Sequence, residues 1–320
     1  MMQLPDLDRD ADPWTLAGSA LTPEAAARAH RAGAAHRADR PVAGQLPAVA
    51  VVRRRRGDRA VPRPGARVGR RRPRRPGDGA GLRRGAGALR VALRALGLAE
   101  QTALLPGGHP DLLARVAVGG RASPLPEEQW LYQAAPKRRT FRAVMAHGPL
   151  SRALSKRLGA MVDGTGAELH VVEDMARKRA IGAAVEAAIA GEPSARAAAR
   201  AAAGEAGVSF EGPDGAEARG PAIADGAPAF VIVTTAADEP AEWLRAGQAL
   251  MRVLLRARVD HAWGSFLHLP LTEAAGRKQL ASLVGARGHA QALARLGGGA
   301  DSPPTPRRPL SEVLLSQRPR

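Results

Sequence analysis

Residues 227–235 have the sequence APAFVIVTT, and the chain continues into EWLRAGQALMRVLLRARV at residues 242–259. The first stretch is an apolar run with β-branched residues, which is typical of a strand covered on both faces. The second carries a broad apolar face over about five helical turns, which predicts a long, well-buried helix. A covered strand followed by a buried helix is expected at the centre of the fold.

Shorter strand and helix patterns surround this central unit. Apolar patterning predicts strands at residues 101–106, 113–118, 167–172 and 291–297, the first two joined by the turn GGHPD as a hairpin or a neighbouring pair. Helical spacing and helix-start signals predict helices within residues 21–34, 89–98 (with Gly97 as the end signal), 127–135, 150–161, 173–190 and 271–285. Strands that alternate with helices indicate an α+β or α/β sheet core with helices packed on it.

The formal net charge of +18 is concentrated in one segment. Residues 51–90 contain 15 arginines against only Asp58 and Asp78, while the other 280 residues carry a net charge of +5. Residues 36–88 also lack aromatic residues and contain glycine or proline every few positions. Such a segment buries too little apolar surface to offset its chain entropy, so we predict that residues 36–88 are disordered.

Composition excludes several kinds of site. The 320 residues contain no cysteine, so disulfides and thiolate metal sites cannot form, which fits a cytoplasmic location. The acidic N-terminus and the lack of about 18 consecutive apolar residues predict neither a secretory signal nor a membrane span. His261 and His268 stand in no recognised metal-binding spacing, so no metal site is predicted. Trp243 and Leu244, at a helix start, are expected in the core or as a hydrophobic staple rather than as residues that stack on a ring.

Four segments in this order resemble the nitroreductase family, in its Acg-like branch. They are RRTFR (138–142), VIVTTAADEPAEWLRAGQALMRVLL (231–255), WGSFLHLPL (263–271) and ARLGGGADSPPTPRRPLSEVL (294–314). The resemblance covers about residues 89–320 and implies an α+β fold in which helices flank a mixed sheet. Ordinary members are homodimers that hold FMN at the subunit interface, and the Acg-like branch resembles two such subunits fused in one chain.

The residue patterns and the resemblance together predict a division of the chain into four parts. Residues 1–35 form an N-terminal segment with a short helix, and residues 36–88 are the Arg/Gly/Pro-rich segment. Residues 89–126 are the remnant of a first nitroreductase-like lobe, and residues 127–320 form the second, better preserved lobe. A fused chain of this kind is expected to be a monomer with an intramolecular pseudo-dimer.

The resemblance also implies a flavin site. The residues implied to bind FMN are Arg138, Arg139, Thr140, Arg142, Arg307, Arg308 and Ser265. The first four match the family's phosphate motif R-R-S-x-R, with the fourth near N1 of the ring, and arginine suits phosphate because its guanidinium pairs with two oxygens. Ser265 lies in the segment beside the ring, where a packing role is equally compatible. The alternative for residues 137–142 is a solvated basic turn.

A first-lobe motif of the family, P-S-x-x-N-S-Q-P-W-R, is missing. Read one base later, the possible codons of Gln45–Val51 permit Asn-Ser-Gln-Pro-Trp-Arg, and those of Pro41 onward permit Pro-Ser. The same shift over residues 76–86 permits a second family-like segment. We therefore hypothesise two compensating frameshifts, one between about residues 24 and 41 and the other near residues 86–89. In the family this motif is expected to form one side of the flavin pocket. Without it, FMN binding is expected to be weakened or lost, because each missing polar contact removes about 1–3 kcal/mol of binding free energy.

The implied activity is that of an FMN-dependent NAD(P)H oxidoreductase, a flavoprotein that reduces a small-molecule electron acceptor such as a nitro or quinone-like compound. No catalytic side chain is predicted, because the cofactor carries the chemistry. Two alternatives stay open. One is flavin binding or storage without turnover. The other is nucleic-acid binding through the twelve arginines of residues 53–75, which lack interleaved aromatics and a reader motif.

Overall fold

A computed structural model describes residues 48–52, 80–106, 112–141, 145, 148–191 and 224–299. All of them belong to one compact unit, Pro47–Asp301. The helix predicted within residues 21–34, most of the loop at 191–226 and the C-terminal tail lie outside the described residues. Within them, antiparallel strand pairs and packed helices confirm the predicted α+β class.

A three-stranded sheet forms the first part of this unit. Its strands are β1 (Ala48–Val52), β2 (Leu98–Leu104) and β3 (Leu112–Arg121), in the order β1-β3-β2 with antiparallel neighbours. The predicted pair at 101–106 and 113–118 is confirmed as β2 and β3. Strand β1 lies in the segment predicted to be disordered. Its sequence AVAVV is an apolar run within that segment, and pairing with β3 satisfies its backbone groups.

Helix α1 (Ala80–Ala95) precedes β2 and begins earlier than predicted. The sequence pattern predicts this helix only from about Leu89 and extends it to Leu98, which instead is the first residue of β2. Gly97 has a φ of 71°, which reverses the chain between the two elements. Ala86 and Val91 are almost fully buried, so tertiary packing extends the helix beyond the sequence pattern.

A four-stranded antiparallel sheet forms the second part. Its strands are β4 (Ala167–Val172), β5 (Ala229–Thr235), β6 (Ala262–Phe266) and β7 (His289–Gly298), in the order β4-β5-β7-β6. Every residue of β5 is buried, which confirms the central strand predicted from its apolar run. The predicted strands at 167–172 and 291–297 are likewise present, the latter as part of β7.

Helices cover both faces of the four-stranded sheet. They are α2 (Pro126–Ala134), α3 (Arg152–Ala160), α4 (Met175–Ala190), α5 (Pro240–Val259) and α6 (Ala274–Leu283), with a 3-10 turn at Leu269–Leu271. Val231 and Val233 belong to the same apolar cluster as residues of α5, whereas Phe230 and Ile232 belong to the cluster of α4 and α6. Alternate residues of β5 thus face opposite cores.

Side-chain N-caps fix the first residues of two helices. Ser151 caps α3 by accepting a hydrogen bond from the Leu154 amide, and Asp174 caps α4 by accepting one from the Arg177 amide. No helix within the described ranges is long and apolar enough to span a bilayer.

Candidate functional site

Residues 137–141 (KRRTF), called the basic segment below, follow α2 and lie alongside strand β6. After the last turn of α2, Thr140 forms a parallel bridge with Gly264, and the Phe141 amide donates a hydrogen bond to the Gly264 carbonyl over 3.1 Å. Ser265 is the next residue of β6. Two of the segments that were expected to share a flavin site, residues 138–141 and β6, are therefore in direct contact, although more than a hundred residues separate them in the chain.

Arg139 is held by backbone oxygens at the end of α2. Its Nη1 donates to the carbonyls of Pro136 and Arg138, the latter over 3.2 Å. Its Nε is buried and has no hydrogen-bond partner among the described residues. A buried donor of this kind is unfavourable unless a ligand or water satisfies it. The guanidinium is thus fixed in place and keeps at least one donor available for an acceptor.

Strand register places the predicted site residue Ser265 opposite Arg295, for which no role was predicted from the sequence. Ser265 is 2% exposed and lies opposite Arg295 of β7, which is 8% exposed. Residues directly opposite on antiparallel strands share one face of the sheet. Burial lowers the pKa of the Arg295 guanidinium. The only sequence signal was an arginine within the predicted strand QALARLG.

A small apolar cluster with two aromatic rings packs beside the basic segment and strand β6. It consists of Phe141, Met145, Ala227 and Trp263, all nearly fully buried. The Phe141 and Trp263 rings are 6.1 Å apart between centroids and tilted by 33°, a favourable arrangement for aromatic pairs. Trp263 lies in the segment WGSFLHLPL, and no role was predicted for it from the sequence. Its position beside Gly264 places it next to the basic segment.

An open cleft of about 420 Å³ lies next to this cluster. Ala227 and Pro228 line it, together with Glu173, Asp225 and the buried Lys178. The Lys178 ammonium donates to the Ala227 and Pro228 carbonyls over 2.7 and 3.3 Å. Two carboxylates on the wall make this cleft unfavourable for a phosphate. Among the described residues, the basic segment is the more suitable place for an anion.

The remaining predicted residues have different outcomes. Arg142, Arg307 and Arg308 lie outside the described residues. Leu244 is buried in the core as predicted, while Trp243 is half-buried and donates its indole N–H to Asp238 over 2.7 Å. In the part of the chain that the structure describes, no three His, Asp or Glu side chains are grouped to hold a metal ion.

No protein-family model and no protein of curated function matches this chain. Solved structures with a similar fold include the FMN- and NADPH-dependent nitroreductase NfnB from Sphigopyxis sp. strain HMH, at 20% identity over 59% of this chain and 99% of that chain, with a TM-score of 0.46.

Two further similar structures are a nitroreductase with bound FMN from Desulfitobacterium hafniense DCB-2 and a nitroreductase in complex with FMN from Desulfovibrio desulfuricans. The first is 15% identical over 59% of this chain and 98% of that chain, with a TM-score of 0.43. The second is 18% identical over 59% of this chain and 96% of that chain, with a TM-score of 0.41. At these identities and TM-scores, the likeness transfers no residue's role to this chain.

Proposed function

We propose that this chain is an FMN-dependent NAD(P)H oxidoreductase of nitroreductase type that acts on a small-molecule electron acceptor. The observation that supports the proposal is the pairing of Thr140 with Gly264, which joins the basic segment to strand β6. A phosphate ester needs convergent cations and hydroxyl or amide donors. Residues 138–140 offer two guanidinium groups and a hydroxyl in three consecutive positions.

The proposed flavin site uses the residues predicted from the sequence. Arg138, Arg139, Thr140 and Arg142 would bind the phosphate together with Arg307 and Arg308, and the segment around Ser265 would lie beside the ring. The donor set fits FMN because Arg139 has a buried Nε without an acceptor among the described residues. When bound, FMN supplies the hydride chemistry between NAD(P)H and the acceptor. The role of the protein is to bind and orient the cofactor, so no catalytic side chain is assigned.

We further propose that the chain belongs to the Acg-like tandem branch, with the lobe boundary near residue 126 and a first lobe altered by compensating frameshifts. The absence of an N-S-Q-P-W segment from the sequence supports the idea that one wall of the flavin pocket is missing. Nucleotide sequencing across codons 20–95 tests the frameshift. An independent read with an unbroken frame that encodes the same arginines would rule out a sequencing error.

Titration of FMN into the purified chain, followed by flavin fluorescence, tests the cofactor assignment. Arg139→Gln should weaken FMN binding about tenfold to a hundredfold, because it removes a charge-assisted hydrogen bond. Arg152→Gln, at an exposed position at the start of α3, is the matched control and should bind like the unchanged chain. Unchanged protein that shows no binding at high FMN concentration would sink the proposed function.

Turnover separates this proposal from its alternatives. FMN-loaded protein should oxidise NAD(P)H in the presence of a nitro or quinone acceptor. FMN binding without NAD(P)H oxidation would instead indicate storage.

The nucleic-acid alternative depends on residues 53–75, which lie outside the described residues. A salt-sensitive gel shift that disappears on deletion of residues 51–88 would favour it.

A further inference from the structure

The open cleft beside Ala227 and Pro228 has a buried ammonium group among its lining residues. Lys178 lies in the first turns of α4 and is 4% exposed. Its Nζ donates to the carbonyls of Ala227 and Pro228 over 2.7 and 3.3 Å, and no carboxylate of the described residues pairs with it. An ammonium group has three donors, so at least one remains for an acceptor in the cleft. Because a buried charge without a counter-ion is unfavourable, an anionic ligand group would stabilise Lys178.

Two carboxylates line the same cleft. Glu173 and Asp225 are both exposed, and neither forms an ion pair within the part of the chain that the structure describes. The Oε1 atom of Glu173 accepts a hydrogen bond from the Leu150 amide over 2.7 Å, which orients the carboxylate and leaves Oε2 for another donor. With Lys178, the lining carries two negative charges and one positive charge, a net formal charge of −1. Its charge pattern therefore favours a ligand with two cationic groups and one anionic group.

Apolar groups complete the lining. Pro149, Pro228 and Met175 belong to it, and Met175 is 42% exposed at the start of α4. These side chains can contact the methylene groups of a ligand whose polar ends meet the charged residues. The cleft volume of about 420 Å³ lies within the range of about 300–1,000 Å³ that small-molecule sites occupy.

We propose that this cleft binds a free amino acid with a basic side chain. The ligand carboxylate accepts from the Lys178 ammonium, and its two cationic groups, the α-ammonium and the side-chain cation, lie at Glu173 and Asp225. Each charge of the lining then meets its opposite, which neither a phosphate nor a simple amine achieves. This site goes beyond the proposed function, because no residue that lines the cleft is among those proposed to bind FMN.

Isothermal titration calorimetry of the full chain with L-arginine at low ionic strength tests the assignment. Arginine should bind saturably with a dissociation constant of about 1 mM or lower. Citrulline has the same shape without the side-chain charge and should bind about threefold more weakly, because it leaves an exposed carboxylate unpaired. Agmatine lacks the carboxylate and should bind about tenfold more weakly, because the buried Lys178 then has no anionic acceptor.

Substitutions in the cleft separate this site from non-specific binding. Glu173→Gln and Asp225→Asn keep the size of the side chains and should each weaken arginine binding about threefold. Asp163→Asn, which removes an exposed carboxylate outside the cleft, is the matched control and should leave binding unchanged. Lys178→Met should weaken arginine binding about tenfold and leave agmatine binding unchanged, because agmatine has no group for the ammonium.

The two carboxylate variants and the ligand series decide the assignment even if Lys178→Met does not fold. The inference is overturned if arginine gives no saturable heat. It is equally overturned if arginine, citrulline and agmatine bind alike, or if Glu173→Gln and Asp225→Asn bind arginine as Asp163→Asn does. None of these titrations requires FMN, so failure of this site and failure of the proposed function are separate results.

Discussion

Asp238 lies in the loop between β5 and α5, where one carboxylate connects three elements. It accepts hydrogen bonds from Trp243 of α5, Gln291 of β7 and the guanidinium of Arg277 in α6, over 2.7 to 3.2 Å. Burial by itself raises the pKa of Asp238, but these hydrogen bonds and the charge of Arg277 outweigh it and lower the pKa. The carboxylate is thus held in its ionised form.

We predict that Asp238→Asn lowers the free energy of unfolding by about 3 kcal/mol at pH 7, because Arg277 is 6% exposed and loses its charged partner. Urea denaturation measures the change. Asp163→Asn, at an exposed position, is the matched control and should change stability little. An equal effect of both variants would contradict the role given to the network.

Replacing each of two helical glycines with alanine is expected to change stability in opposite directions. A Cβ at Gly276 would overlap the carbonyl oxygen of Pro270, whereas nothing lies within 4 Å of a Cβ at Gly159. Gly276→Ala should therefore destabilise the protein by about 1–3 kcal/mol through overpacking. Gly159→Ala should stabilise it by about 0.5–1 kcal/mol through helix propensity. Thermal unfolding of the two variants checks the signs, and a shift in the same direction for both would contradict the packing at Gly276.

At the scale of elements, Glu100 connects β2 to α1. Its side chain is 1% exposed and accepts from Thr102 over 2.7 Å, Arg90 over 2.9 Å and Arg94 over 3.1 Å. Burial alone raises the pKa of Glu100, but the hydrogen bonds from Thr102 and the two arginines lower it overall. Arg90 also donates to Gln248 of α5 over 2.8 Å, so the three-stranded sheet is connected to the central helix through this group.

We predict that Glu100→Gln costs about 2 kcal/mol of stability at pH 7. Because the folded pKa is depressed, the contribution of Glu100 is fully present above the ordinary glutamate pKa and is lost as the pH falls through the lower, folded value. The difference between variant and unchanged protein should therefore shrink in acid. Glu168→Gln, whose side chain is 75% exposed, should show neither the loss nor the pH dependence. Denaturant unfolding at neutral and acidic pH measures both.

Helices and strands with a strong local pattern were predicted from the sequence, and those without one were not. The fully buried β5 and the helix α5 were predicted because an apolar run and a broad apolar face are periodic signals within one segment. Strand β1 and the first turns of α1 were missed because their flanking sequence is rich in Arg, Gly and Pro. Their order comes from partners elsewhere, namely β3 for the strand and α5 for the helix, where a Cβ at Gly87 would lie 3.0 Å from Gln248 Cα.

At the scale of the whole molecule, the proposed fusion of two lobes predicts a monomer. Multi-angle light scattering should give a mass near 33.3 kDa at micromolar concentration, and addition of FMN should leave it unchanged. A stable species of twice that mass, especially one that forms only with FMN, would indicate that the site is completed between two chains. In that case the pseudo-dimer proposal is wrong, while the phosphate assignment could still be tested on the dimer.

The sequence by itself determined the α+β class, the central β5–α5 unit and the absence of cysteine chemistry, because each is a local pattern or a composition, whereas residues 138–142 became a candidate anion site only through the family resemblance. Only the tertiary structure decided that Thr140 pairs with Gly264, that Ser265 faces a buried Arg295, and that Trp263 holds Gly299 against Phe141. These contacts join residues far apart in the chain. Sheet register and close packing set them, and neither is encoded in the spacing of residues within a single segment.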